Sequence, residues 1–183
     1  TKGKLHIKQE VNDITILHRV VFTFATEFHY TAYTMSDFEK IDSLASQLCK
    51  ESHSCEGYLT DKEARFLTVL SACTPGNGVT LEIGSFKGKS TIILSKAEQE
   101  IRGEVNIVAM DPLTSPSETD PDNSSRDDFY GNLDRAGVKD VVEFYEQRSQ
   151  ELSDDWDRPI RLLWIDGDHT NEGVTSDIVN YVD

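Results

Sequence analysis

From residue 79 onward, short apolar stretches alternate with segments of helical periodicity. Strands are predicted over residues 79–84, 105–110, 141–145 and 161–165. Helices are predicted from Ser90, through residues 129–136, and over residues 172–182. This β-α-β-α-β-β-α order is typical of an α/β fold with a doubly wound parallel sheet. Ligands of such folds bind at the carboxyl ends of the strands. Those ends are predicted at Gly84, Asp111, residues 147–149 and Asp166.

The first part of the chain has a different pattern. Residues 5–33 are rich in β-branched and aromatic residues, which predicts two or three strands. Helical spacing of apolar residues after Ser36 predicts a helix. Thr60 is expected to cap a second helix, because Glu63 completes a capping box three residues later. The sequence PGNG at residues 75–78 is expected to end that helix.

The charge and the cysteines exclude several classes of protein. A net charge of −15 argues against a nucleic-acid partner, because phosphate neutralisation needs clustered Lys and Arg. No stretch approaches the ~20 apolar residues of a membrane helix, and the N-terminus does not resemble a signal peptide, so a cytoplasmic location without a membrane partner is expected. Cys49, Cys55 and Cys73 are odd in number and lack C-x-x-C spacing. This argues against a structural zinc site of that type and against a disulfide framework.

A glycine-rich turn, LEIGSFKGKST at residues 81–91, follows the first of the alternating strands. A phosphate-binding loop needs G-x-x-x-x-G-K-[ST], but Gly84 and Gly88 enclose one residue too few. A dinucleotide-binding turn needs G-x-G-x-x-G, which this sequence lacks. The pattern present is E-x-G-x-x-x-G-x-S, formed by Glu82, Gly84, Gly88 and Ser90.

Acidic residues recur at the other strand ends. Asp111 directly follows VNIVAM, and an acid there can bind both hydroxyls of a ribose. The last strand runs into Asp166, Gly167, Asp168 and His169. Two carboxylates and an imidazole at one edge are costly unless they are solvated, paired or bound to a cation.

The glycine turn, together with Asp111 and the sequence IDGDHTNEGV at residues 165–174, resembles class I S-adenosylmethionine-dependent methyltransferases. It is similar to the branch of macrocin O-methyltransferase and cephalosporin-hydroxylase-like enzymes, over about residues 78–183. The resemblance implies a Rossmann-like sheet, S-adenosylmethionine as cofactor and a small-molecule acceptor. The residues that it assigns to cofactor binding are Glu82, Gly84, Ser85, Gly88, Ser90, Asp111, Ser149 and Asp166.

The resemblance also implies roles for individual side chains. Glu82 would accept from the amino group of the methionine part, Asp111 would bind the ribose and Ser149 would lie on the adenine side. His169 and Asp166 would be catalytic: His169 as the base that removes the proton of an acceptor hydroxyl, and Asp166 as a ligand of Mg²⁺, which lowers the pKa of that hydroxyl. Asp168 either orients His169 or caps the next helix.

The resembled fold has further strands after the helix that corresponds to residues 172–182. The sheet of this chain is therefore expected to lack those C-terminal strands. The N-terminal strands are expected to cover the open edge beside residues 161–165, because bare edges invite aggregation. Residues 1–60 are interpreted as an N-terminal β/α extension or cap, and residues 61–183 as the S-adenosylmethionine-binding Rossmann-like domain, truncated if the chain is a fragment.

Two alternatives to a methyltransferase stay open. One is a non-catalytic or fragmentary adenosine-binding domain. The other is a P-loop-like nucleotide-binding protein that uses Lys89 and Ser90. The sequence does not decide whether the chain forms a homo-oligomer.

Overall fold

The computed structural model describes residues 20–23, 34–114 and 125–182, the first of these by backbone alone. The strands are β1 (Val20–Thr23), β2 (Val79–Ile83), β3 (Ile107–Met110), β4 (Val142–Tyr145) and β5 (Ile160–Ile165). The helices are α1 (Met35–Ser52), α2 (Asp61–Cys73), α3 (Lys89–Arg102), α4 (Arg126–Ala136), α5 (Ser149–Leu152) and α6 (Asn171–Tyr181). Within these described ranges, no helix combines the length and apolar character needed to span a bilayer.

The strands form a single sheet in the order β1-β5-β2-β3-β4. The four strands β5, β2, β3 and β4 are parallel, which confirms the predicted Rossmann-like, doubly wound fold. From β2 the chain continues outward to β3 and β4, then returns to place β5 on the other side of β2. Such a reversal of strand order leaves a crevice at the carboxyl ends of the two strands where it occurs, β2 and β5. Ligands of open α/β sheets bind in this crevice.

The expectation that an N-terminal strand covers the sheet edge is confirmed for β1. This strand pairs antiparallel with β5, with Val20 opposite Ile165 and Thr23 opposite Leu162. The pairing occupies the hydrogen-bonding groups on that side of β5, so β5 is not an open edge. The other residues of the predicted strands at 5–33 lie outside the described part of the chain.

Helices cover both faces of the sheet. On one face, Leu48 of α1, Leu67 of α2 and Leu94 of α3 pack with Trp164 of β5. On the other face, Tyr181 of α6 packs against the apolar residues of β2, β3 and β5. Strands β2, β3 and β5 are therefore almost completely buried, which explains why they are predominantly apolar in the sequence, whereas β4 at the edge of the sheet is partly exposed.

The helix starts agree closely with the predicted signals. Thr60 and Glu63 form the predicted capping box at the start of α2. The preceding helix begins slightly earlier than predicted, because Thr34 rather than Ser36 is its cap and forms a capping box with Asp37. The more N-terminal residue has the extended backbone that a cap requires.

Two aromatic residues at helical spacing are more exposed than their pattern suggests. Phe38 and Phe66 are 55% and 54% exposed. The Ser71 hydroxyl of α2 donates to the carbonyl of Leu94 in α3 at 3.0 Å. The buried positions of α2 are Ala64, Leu67, Thr68, Ser71 and Ala72, so Phe66 lies off its buried face.

A buried ion pair joins several elements at the amino-terminal ends of the strands. The guanidinium of Arg161 in β5 contacts the carboxylate of Glu98 in α3, and both side chains are 1% exposed. Arg161 also donates to the Thr74 carbonyl at 3.0 Å and to the Thr80 hydroxyl at 2.6 Å. The second carboxylate oxygen of Glu98 accepts from the backbone N–H of Asn106 at 2.8 Å. All these polar partners are needed, because a charge buried without them would be strongly destabilising.

Candidate active site

A cleft of about 900 Å³ opens at the carboxyl ends of β2, β3 and β5. This volume is typical of sites for small molecules and cofactors. The sequence-predicted residues that line the cleft are Gly84, Ser85, Ser90, Asp111, Ser149, Asp166 and His169. Glu82 and Gly88 do not line it, because both are buried within the protein. The strand-end residues that the sequence analysis selected therefore do meet at one edge of the sheet.

Gly84 and Gly88 shape the turn by allowing close packing of neighbouring protein. Gly84 has φ of +90°, and a Cβ there would lie 2.5 Å from the carbonyl oxygen of Asp166. Gly88 has φ of +84°, and its Cβ would lie 2.5 Å from Cδ1 of Leu133. Both positions therefore need glycine for conformation and for space. At Gly84 the close neighbour is the backbone beyond β5, which gives this glycine a structural reason besides the expected approach of a ligand.

Gly84→Ala is expected to destabilise the protein much more than Gly103→Ala. The added Cβ at Gly103, where φ is +76°, meets no atom within 4 Å, so that variant incurs only the left-handed backbone cost of about 1–2 kcal/mol. Overlap with the backbone of Asp166 should add a further ~1–3 kcal/mol at Gly84. Urea unfolding of both variants gives the comparison, and equal losses would show that the close approach at Gly84 is unimportant.

Asp111 holds the glycine turn by backbone hydrogen bonds. Its Oδ2 accepts from the N–H groups of Ser85 and Phe86, each at 2.9 Å. Its Oδ1 accepts from the N–H of Leu113 at 2.7 Å. Asp111 is half-buried and lines the cleft. The carboxylate thus orients the turn. Oδ2 already accepts two hydrogen bonds, whereas Oδ1 accepts one and keeps a lone-pair direction for a ligand.

These contacts disfavour the phosphate-loop alternative. A phosphate-binding loop directs successive backbone N–H groups at the anion. In this turn, two such groups already donate to the negatively charged Asp111. Lys89, on which that alternative depends, is half-buried, and its Nζ donates to the carbonyl of Gly57 at 3.5 Å. The turn therefore presents a carboxylate where a nucleotide phosphate would need donors.

Glu82 lies beneath the turn and is completely buried. Its Oε2 accepts from the hydroxyls of Ser85 at 3.1 Å and Thr91 at 2.5 Å. Its Oε1 has no hydrogen-bond partner in the structure. Burial raises the pKa of Glu82 to about 7, against the opposing effect of the Ser90, Thr91 and Ser85 hydroxyls. The orphaned oxygen is the kind of buried acceptor that a ligand donor could satisfy.

Glu82 is expected to make stability depend on pH. Its pKa in the folded protein lies above the ordinary value of 4.5, so the folded state binds the proton more tightly. The resulting stabilisation is fully present below about pH 4.5 and is lost as pH rises through about 7, a total of about 3 kcal/mol. Glu82→Gln removes this titration, so the variant should gain stability relative to wild type between pH 5 and pH 8. Urea unfolding at both pH values measures the difference, and a constant difference would contradict the assignment.

The cluster after β5 separates into two parts. His169 Nε2 lies 3.9 Å from the Asp166 carboxylate, and the imidazole is about half exposed in the cleft. Asp168 faces the next helix: its Oδ1 accepts from the N–H of Thr170 at 2.9 Å, and its side chain lies against Gly173. Of the two roles considered for Asp168, the structure therefore favours stabilising the start of α6.

Ser149 belongs to a buried polar group that the sequence analysis missed. Its hydroxyl donates to Asp177 Oδ1 at 2.5 Å, and its carbonyl accepts from the Tyr181 hydroxyl at 2.6 Å. Burial raises the pKa of Asp177, which also lines the cleft. A sequence signal did exist, because Gly173, Asp177 and Tyr181 are spaced four apart and share one helix face. The Ser149 hydroxyl is therefore engaged with the protein at the cleft wall.

Residues 56–60, between α1 and α2, form another wall of the cleft. Tyr58 is exposed and stacks on Phe86 of the glycine turn, with 6.0 Å between ring centroids. Lys87 is buried and bridges Glu56 at 2.8 Å and Asp128 at 3.0 Å. The hydrogen bond that the Lys87 ammonium donates to the Glu56 carboxylate is the main reason that the pKa of Lys87 is raised. These contacts hold residues 56–58 against the turn.

The residues around Asp166 do not form a Mg²⁺ site in the described part of the chain. Asp166 belongs to no group of three His, Cys, Asp or Glu side chains whose ligand atoms lie within 4.8 Å of one another among those residues. Its near neighbour Asp168 is turned towards α6. The predicted metal role of Asp166 is thus not supported.

The chain is similar to a known protein family and to a solved structure. A family model described as a methyltransferase domain matches residues 81–183, which contain the glycine turn and every predicted site residue. A solved structure described as cofactor-bound Rv0187 from MTB is similar at 20% identity and a TM-score of 0.42. The match covers 67% of this chain and 50% of that one, so the chain spans about half the length of that protein.

Proposed function

Because the chain belongs to the methyltransferase-domain family whose model matches residues 81–183, we propose that it transfers a methyl group from S-adenosylmethionine to a hydroxyl oxygen of a small molecule. The observation that carries the proposal is the cleft at the reversal of strand order, where the carboxylates of Asp111 and Asp166 line one cavity. The sequence IDGDHTNEGV supports placing the chain in the branch of macrocin O-methyltransferase and cephalosporin-hydroxylase-like enzymes.

The residues present fit a ligand that carries positive charge. S-adenosylmethionine has a sulfonium and an amino group, and carboxylates stabilise cations at a partly buried site. Asp111 and Asp166 line the cleft, and Glu82 lies directly beneath the turn with an orphaned oxygen. The hydroxyls of Ser85 and Ser90 lie at the cleft wall beside Glu82. Asp111, Asp166, Ser85 and Ser90 are proposed to contact the cofactor, with Asp111 on the ribose, and Glu82 is proposed to support them from beneath the turn.

Methyl transfer to oxygen also requires removal of a proton from the acceptor. The bound cofactor would supply an electrophilic methyl group. His169 is proposed to take the hydroxyl proton of the acceptor, because a neutral imidazole is an effective base near neutral pH. Asp166, 3.9 Å from His169 Nε2, would stabilise the imidazolium that results. Tyr58 and Phe86 offer an apolar wall on which the acceptor could be held.

Asp111→Asn is expected to weaken binding of S-adenosylhomocysteine, the product of the cofactor, by about 10- to 150-fold. A hydrogen bond to a charged group is worth ~1.5–3 kcal/mol, and the ribose hydroxyls would lose such an acceptor. Calorimetric titration measures the dissociation constant, with Asp140→Asn as an exposed control outside the cleft. An unchanged dissociation constant in a correctly folded Asp111→Asn protein would remove Asp111 from the cofactor site.

The acceptor class is tested with methyl-labelled S-adenosylmethionine and a panel of phenols, sugars and hydroxamates. Label transferred to a hydroxyl group supports the proposal, and incorporation should disappear when the acceptor hydroxyl is blocked. Label transferred only to nitrogen or carbon acceptors would contradict the proposed oxygen specificity. Cofactor binding without transfer to any acceptor would favour the non-catalytic alternative.

A further inference from the structure

Three potential metal ligands converge at the junction of α1 and α2, outside the residues that line the cleft. They are Cys49 near the end of α1, His53 at its C-terminal cap and Asp61 at the first position of α2. One ligand atom from each side chain can be chosen so that all three lie within 4.8 Å of one another. This group contains sulfur, nitrogen and oxygen donors, a mixture that the ion pairs elsewhere on the surface lack.

The protein backbone brings these ligands together without a metal. His53 has helical backbone angles, so it lies one turn after Cys49 on the same helix face. Asp61 reaches that face because α2 packs against α1, and its Oδ1 lies 2.8 Å from His53 Nε2. The Cys49 thiol points the same way and donates to the Asp61 carbonyl at 3.7 Å. Ligands fixed on two packed helices need little rearrangement to bind an ion.

We propose that Cys49, His53 and Asp61 bind one Zn²⁺ ion, with water in the remaining position. Zinc accepts thiolate, imidazole and carboxylate ligands, and a site with three protein ligands keeps an open position. Mg²⁺ and Ca²⁺ prefer oxygen ligands only, so the thiol selects a softer ion. His53 and Asp61 have side chains that are 56% and 69% exposed, which leaves a path for the ion from solvent.

Neighbouring charges set a limit on the affinity. Burial and the neighbouring Asp61 carboxylate raise the pKa of the Cys49 thiol, while Arg65 and Lys89 act in the opposite direction. These two cations favour the thiolate that zinc requires but repel the ion itself. Arg65 is already paired with Asp42 at 2.9 Å, which reduces that repulsion. The site should therefore bind zinc reversibly and release the thiol proton on binding.

Zinc at this position would connect to the cleft through the chain. His53 and Asp61 flank residues 54–60, and the cleft wall includes Glu56, Gly57 and Tyr58 from that segment. Bridging the two ends of a loop reduces the freedom of the residues between them. Bound zinc would thus hold one wall of the cleft in place without contacting the cofactor or the acceptor.

The test is a Zn²⁺ titration of the reduced full chain against a chromophoric chelator, with Co²⁺ as a spectroscopic probe. One equivalent of zinc is expected to bind, and Co²⁺ should produce a thiolate-to-cobalt absorption band. Cys49→Ser, His53→Gln and Asp61→Asn should each weaken zinc binding by at least about 100-fold, because even outer-shell partners of metal ligands contribute about 10- to 100-fold. Cys73→Ser, on α2 but outside the group, is the matched control and should bind like wild type.

Several outcomes would overturn the site. Zinc binding that survives Cys49→Ser and Asp61→Asn would place the ion on other residues, and a missing cobalt–thiolate band would exclude Cys49. If Cys49→Ser fails to fold, the exposed variants His53→Gln and Asp61→Asn still decide the question. Failure to bind any zinc equivalent at neutral pH would also refute the proposal, and none of these results depends on methyl transfer.

Discussion

His169→Ala is expected to lower kcat by about 10²- to 10⁴-fold, the usual contribution of a general base. The imidazole is exposed in the cleft, 3.9 Å from the Asp166 carboxylate, so it can accept a proton and be stabilised when charged. Affinity for S-adenosylhomocysteine should change little, because the proposed cofactor ligands are other residues. Steady-state kinetics with a labelled cofactor and calorimetric titration measure the two quantities separately.

Two comparisons sharpen this prediction. Glu172→Ala, an exposed change in the first turn of α6 outside the cleft, should leave kcat unchanged. His169→Gln keeps hydrogen-bonding capacity but not basicity, so it should be nearly as slow as His169→Ala. An unaffected kcat in both His169 variants would eliminate His169 as the base, and a loss of cofactor affinity would mean that the imidazole shapes the cofactor pocket.

Arg161→Met is expected to destabilise the protein by about 3–5 kcal/mol, because it leaves the Glu98 carboxylate buried without its partner. Both side chains are 1% exposed, and Arg161 also bonds to Thr74 and Thr80. Combining Arg161→Met with Glu98→Leu should recover much of the loss, since an apolar pair of similar volume can replace a buried ion pair. Urea unfolding gives the free energy of unfolding of the wild type, of Arg161→Met and of the double variant.

A surface ion pair provides the control for this prediction. Arg158 lies 2.6 Å from Glu143, but their side chains are 33% and 46% exposed. Arg158→Met should therefore cost at most about 1 kcal/mol. If Arg161→Met lowers the free energy of unfolding no more than Arg158→Met does, the buried ion pair does not stabilise the fold as proposed.

The sequence predicted the features that depend on local pattern. Short, predominantly apolar runs identified the four parallel strands, and the Thr60 and Glu63 spacing identified the start of α2. The strand-end rule placed Gly84, Asp111 and Asp166 at one edge because it follows from the topology of the sheet rather than from side-chain detail.

Features that depend on distant contacts were not predictable in the same way. Arg161 looks like the polar start of a strand, and its partner Glu98 lies 63 residues away. Lys87 looks like an ordinary loop cation, but its side chain is buried and forms ion pairs with Glu56 and Asp128. No local pattern indicates such pairs, because the partners lie on different elements.

The site residues illustrate the same division. Asp111 was expected to bind a ribose. In the structure it already accepts three hydrogen bonds from backbone N–H groups of the turn and of the following loop. Glu82 was expected to accept from the amino group of a bound cofactor; in the structure it is fully buried, and one of its oxygens has no hydrogen-bond partner. The sequence identified which residue types occupy the strand ends, while their orientation depends on how the turn closes over them.

The most direct test of the central proposal is a calorimetric titration of the wild-type chain with S-adenosylhomocysteine and, separately, with ATP. The proposed function predicts saturable binding of one S-adenosylhomocysteine per chain and no comparable binding of ATP. Tight binding of ATP with no binding of S-adenosylhomocysteine would contradict it and would make the glycine turn a nucleotide-phosphate site.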